Sequence, residues 1–298
     1  MKIIRPVTID DAVFQSSDVP ENDYAAWAVG TTYAAGDRVI VTTGYHKIYE
    51  SKLGGNVGND PTTDDGTNWL EISSTNRWKM FNAIVQEQTV QATQINTVLQ
   101  SASVVNSLAL INIVGTTVVI TMTDAVEGVV YNETFNLTSY SGIQDWYAYF
   151  FEPIVRKNQL ALTNLPPYAN ASISVTVNAG ADAKVGALVI GQFADLGLSQ
   201  HGASISIIDY STKTTDAQGR ITITDGPYAD KMDVDVILDT STIGQANTTL
   251  SSLRTTPAVW VAEDNNDDLV IYGYYREFDI ILSNPTISRL SLEIEGLV

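Results

Sequence analysis

Thirty-four carboxylates, two histidines and no cysteine are the acid–base and metal-ligating side chains of this 298-residue chain. Without cysteine, thiol nucleophiles, disulfides and Cys-ligated zinc or iron–sulfur centres are excluded. His46 and His201 lie in no motif that ties either to a serine, and no G-x-S-x-G elbow occurs. Residues 54–58, Gly-Gly-Asn-Val-Gly, make no phosphate cradle, because no buried strand precedes them and no clear helix follows. Glycoside hydrolysis needs a pair of carboxylates, yet no local constellation marks one. Asp233 and Asp235 alternate with Val234 and Val236 and, with Asp230, read as the solvent face of a strand. Asp264-Asn265-Asn266-Asp267-Asp268 offers the oxygens that calcium favours, but the EF-hand spacing is missing and a solvated hairpin loop is the commoner use. The expectation is no catalytic site, no cofactor and no metal centre.

The net charge of −18 and the pI near 4.2 argue against nucleic acid, whose phosphates need clustered Lys and Arg. No apolar run approaches the ~18 residues of a membrane-spanning helix. Met1-Lys2-Ile3-Ile4-Arg5-Pro6 is too short and soon too polar for a signal peptide. The Asn-x-Ser/Thr matches at Asn132, Asn136, Asn170 and Asn247 therefore read as accidental.

The elements that must carry any site are mostly strands. Apolar residues recur with period two at Ile173, Val175 and Val177, at Ile205 and Ile207, at Ile221 and Ile223, and at Val234, Val236 and Leu238. Residues 116–123 are rich in β-branched side chains, and 287–294 set Ile287, Leu290, Leu292 and Ile294 among polar ones. Asp216-Ala217-Gln218-Gly219 reads as a hairpin tip. Trp78, Phe81, Ile84 and Val85 have helical spacing, with Asn76 a possible N-cap, though an irregular lead into a strand fits equally. Residues 146–151, Trp-Tyr-Ala-Tyr-Phe-Phe, read as a strand apolar on both faces, hence buried in a core or beneath a neighbouring subunit. The fold class is all-β, with a small aromatic-cored module followed by one or two antiparallel sandwiches. The divisions are a lead-in at 1–20, the module at 21–75, and sandwiches at 76–197 and 198–298.

The module has the most specific pattern. Tyr24 and Trp27 are followed by Tyr33, Gly36-Asp37 and Val39, then Gly44-Tyr45-His46 and Tyr49, then Asn59-Asp60-Pro61 and Trp69. About fifty residues bury too little aliphatic surface to fold comfortably, and large aromatics make up the difference. The order W…Y-x-x-G-D-x-V…G-x-x-x-x-Y…P…W resembles the type 5/12 carbohydrate-binding modules of chitinases and cellulases. That resemblance implies a core of Trp27, Tyr33 and Trp69, with Tyr49 counted alongside. It also implies sugar stacking on an exposed ring. The family often places that ring just before the Pro-containing turn, where this chain has Asn59-Asp60. Tyr24, Tyr45 and His46 are the remaining platform candidates, with Asn59, Asp60 and Asp64 as polar partners. The alternative is a small structural or protein-docking knob.

Thr75-Asn76-Arg77-Trp78-Lys79-Met80-Phe81, with the strands around 104–112 and 115–123, looks like structural proteins of tailed bacteriophages. In these a galactose-binding-like jelly roll commonly follows such a module. Residues 257–260, 269–275 and 290–297 are similar to the closing strands of phage tail-tip β domains. The resemblance implies a non-enzymatic virion component of the tail tip or baseplate, made in the host cytoplasm. Its expected partners are other tail proteins, further copies of itself and a host-surface glycan. The rival expectations are a free carbohydrate-binding accessory protein and a glycan-cleaving enzyme with an appended module.

Overall fold

The computed structural model describes residues 1–139, 145–216, 218–263, 269–282 and 284–298. The fold is all-β and of sandwich type, and among the described residues every strand-to-strand pairing is antiparallel. Its spine is the strand Ser172–Asp195. At ~3.3 Å per residue its 24 residues would run about 80 Å, far beyond one sandwich layer. The pairing with Thr89–Gln100 shifts between Asn178 and Asp182, and this irregularity lets the strand change direction. Ahead of the shift it pairs with Thr117–Asp124, and beyond it with Ser107–Val114. Ile173, Val175 and Val177 from one half and Val185, Leu188 and Ile190 from the other enter the same core.

One close crossing fixes this layer. The carbonyl of Val85 passes over Gly186 so tightly that a Cβ there would lie 2.3 Å from its oxygen. Asn112 donates its side-chain N–H to that same carbonyl at 2.8 Å.

The second half is a sheet of Tyr228–Asp239, Ile287–Gly296, Val270–Ile281 and Ala258–Val261. Val234, Val236 and Leu238 face its core, as their alternation predicts, while Asp235 on the other face pairs with Arg289. The helix Ile243–Ser252 adds Ala246 and Leu250 to that core. Trp260 is fully buried there, and its indole N–H donates to the Gly273 carbonyl at 3.0 Å.

Lys2–Pro6 joins the halves. It pairs with residues 191–195 on one side and with Ala258–Val261 on the other. Ile3 enters the second core, while Ile4 enters a third cluster with Ala109, Val189 and Val259. Phe14–Ser17 forms an edge strand on Thr89–Gln100.

Several expectations need correction. Residues 146–151 form the short helix Trp146–Phe151, not a strand, and the rings are exposed rather than in a core. No strand among the described residues pairs with this segment, whereas a helix brings i and i+4 rings together. Trp146 stacks near Phe150 and Tyr147 meets Phe151, with centroids 6.2 and 4.9 Å apart. Residues 76–81 are a 3-10 helix, with Thr75 rather than Asn76 at the N-cap. Asn76 is the first helical residue, and the Asp23 carboxylate accepts its backbone N–H. Its side chain bonds both backbone groups of Val90. Ile205, Ile207, Ile221 and Ile223 lie in strands but are exposed. The hairpin tip near residue 216 joins Thr212–Thr215 to Ile221–Thr224. The candidate calcium loop, 264–268, lies outside the described residues.

Candidate functional site

Arg38–Val41, Lys47–Ser51 and Trp69–Ser74 form a separate three-stranded sheet. Tyr33, Val39, Tyr49 and Trp69 make its buried core, with Trp27 packed partly buried against them. The Tyr33 and Trp69 rings meet edge to face at 5.2 Å. Trp69 donates its indole N–H to the Asn59 carbonyl at 3.0 Å, and the Tyr33 hydroxyl accepts from Ala28 N–H at 2.8 Å. Aromatic area and two polar handles thus do the work of an aliphatic core.

The polar partners foreseen for a ligand are committed to this small fold. Asp60 accepts from the backbone and the hydroxyl of Thr62, and Asn59 donates to Asn56. Asp64 accepts from the N–H groups of Gly66, Asn68 and Trp69 and from the Asn68 amide. Burial alone would push the Asp64 carboxyl up, but these donors together hold it below the usual range.

A polar cluster lies where the small sheet meets the sandwich. Gly44 takes a left-handed φ of 73°, and His46 follows in the same turn at φ 53°. His46 is not an exposed platform, since its side chain is only 12% accessible. Its ring stacks on Trp78 with centroids 3.8 Å apart. Nδ1 lies 2.9 Å from Glu21 Oε1 and Nε2 lies 2.7 Å from Asp11 Oδ1. Glu21, buried, also accepts from the Thr75 hydroxyl at 2.7 Å and faces the Arg77 guanidinium at 3.5 Å. Arg77 in turn donates to the Val19 carbonyl. Asp11 takes a second bond from Gly44 N–H at 3.0 Å.

Above this cluster opens a cleft of about 470 Å³, lined by Asp10, Asp11, Tyr45, His46, Trp78 and Phe81 among others. Tyr45 stands half exposed at its rim, and its hydroxyl makes no hydrogen bond among the described residues. Tyr24 is elsewhere, its hydroxyl accepting from Arg38 at 3.2 Å. Of the five residues foreseen as ligand-binding, Tyr45 and His46 line this cleft, and Tyr24, Asn59 and Asp60 do not. His201 lies exposed in a turn and lines a different hollow, of about 530 Å³. Among the described residues no group of three or more His, Asp or Glu is placed to hold a metal ion. No helix there is long and apolar enough to cross a membrane.

Asp11, Glu21, Thr75 and Arg77 were not foreseen as a unit. They stand 25 to 35 residues from His46, and only the fold brings them together. The one local signal is the Gly44-Tyr45-His46 turn, whose glycine marks a reversal that could aim a side chain at a neighbour. Comparison with known family models, curated proteins and solved structures found no match.

Proposed function

We propose that this chain is a non-enzymatic structural component of a phage tail tip or baseplate, with the aromatic module serving attachment to host-envelope glycan. The observation that carries this reading is the junction of His46, Glu21, Asp11 and Trp78. It fixes the module to a large β framework and leaves the Tyr45 ring free at the rim of an open cleft. A phenol ring beside the carboxylates of Asp10 and Asp11 is the kind of surface on which a sugar face stacks while its hydroxyls donate. Several copies on one particle would raise weak individual contacts to useful avidity.

A second reading, docking of the module onto a neighbouring subunit, is favoured by one observation. Asn59, Asp60 and Asp64 spend their hydrogen bonds inside the module.

The test is retention of the full chain on insoluble chitin, cellulose and host-envelope polysaccharide. Retention abolished by Tyr45→Ala, with unchanged thermal unfolding, supports glycan attachment. No retention on any of the three overturns it. Release of soluble reducing sugar from the envelope overturns the non-enzymatic part.

A further inference from the structure

The helix Trp146–Phe151 exposes Trp146, Tyr147, Tyr149, Phe150 and Phe151 at 56–78% of their surface. Ile154 and Val155 beyond it are 69% and 59% exposed. Just beyond these residues the chain is tied back to the sandwich, with Ser139 N–H donating to the Val155 carbonyl at 2.9 Å and Lys157 N–H to the Leu137 carbonyl at 2.7 Å. A bridge between Thr138 and Arg156 lies between these two bonds. On the helix the rings touch one another: Trp146 meets Tyr149 and Phe150, and Tyr147 meets Phe151. At 100° per residue they occupy an arc of about 200°, more than half the circumference.

From this we infer that the aromatic helix Trp146–Phe151 is a self-association surface, and that its occupant is the same patch on a second copy of this chain. The area supports this occupant. Aromatic side chains bury ~150–250 Å² each, so at the observed exposure five rings offer roughly 500–850 Å². Two such patches face to face bury roughly 1,000–1,700 Å², the size of a stable specific interface. Charge supports it too. Asp145 and Glu152 balance Arg156 and Lys157, so residues 145–157 are neutral in a chain of net charge −18. Two copies meeting there bring no net charge together from these segments. The proposal is independent of the glycan reading, since it requires no molecule but this chain.

The test is the solution mass of the full chain by sedimentation from about 0.1 to about 100 µM. The expected result is a mass of at least twice 32.3 kDa within that range. Trp146→Ser combined with Phe150→Ser is expected to weaken association on the order of a hundredfold while leaving thermal unfolding unchanged. Should that variant lose cooperative unfolding, Tyr147→Ser with Phe151→Ser takes its place. A wild-type chain that stays at 32.3 kDa throughout overturns the proposal, as does association that both variants leave intact. A monomer that floats with phosphatidylcholine vesicles overturns it in favour of a lipid surface.

Discussion

His46→Ala is the sharpest perturbation of the junction between the small sheet and the sandwich. It removes three contacts whose worth differs with their exposure. The contact with Glu21, a carboxylate only 7% accessible, is worth ~1.5–3 kcal/mol as a hydrogen bond to a charged group. The contact with Asp11, 54% accessible, is worth only ~0.2–1 kcal/mol. Stacking on Trp78 adds ~0.5–1.5 kcal/mol. Because the three share one ring they do not add strictly, and a loss of about 2–5 kcal/mol is expected. The effect should be largest around Trp78, whose ring His46 covers and which meets Phe14 and Phe81 at the edge of the first core. Limited trypsin digestion reads it directly, since Arg77 and Lys79 lie on the short helix beneath His46. Under conditions where cleavage follows the open population, His46→Ala should speed cutting there on the order of a hundredfold. Asp11→Ala, which also removes the bond from Gly44 N–H, should speed it only on the order of tenfold. A His46→Ala rate within about fivefold of wild type would refute the junction as the clamp.

Two further outcomes follow from the geometry. Asp64, held below the usual carboxylate range, contributes stability that is present above its unfolded value near ~3.9 and lost as pH falls through its folded value. Asp64→Asn should therefore destabilise the small sheet at neutral pH and flatten the acid limb of its unfolding. This is read by Trp69 fluorescence, and an unchanged acid limb would count against it. Gly186→Ala should cost about 2 kcal/mol or more by chemical denaturation, because the new Cβ meets the Val85 carbonyl and Asn112. A neutral effect would mean that the Val85 crossing over Gly186 yields freely.

Local periodicity carried most of the fold. Val234, Val236 and Leu238 alternate, and they face a core because one face of their strand is buried. The same logic misled at Ile221 and Ile223, where the hairpin alternates without a layer to bury it. It also failed at 146–151, where six aromatic-rich residues satisfy a two-residue and a helical period equally well. The module core was legible because large rings in fifty residues have few other uses. The junction was not. Asp11 and Glu21 are two of thirty-four carboxylates, and nothing local ties either to a histidine in a later turn. The strand at Ile3-Ile4 was equally hidden, since its partners lie about 190 and 256 residues away.

That last separation sets a timetable. At ~5–20 residues per second, synthesis needs roughly 10–40 s to travel from Ile4 to its partner Phe193, and longer to reach Val259. Throughout, the chain carries an apolar strand with no sheet to join. Closure of the two halves must therefore be among the last folding events, with the high contact order that makes β proteins slow. A refolding experiment should find the two large cores forming before Lys2–Pro6 gains amide protection. Until that strand is inserted, the gap between the halves is an open edge to which any other strand can add.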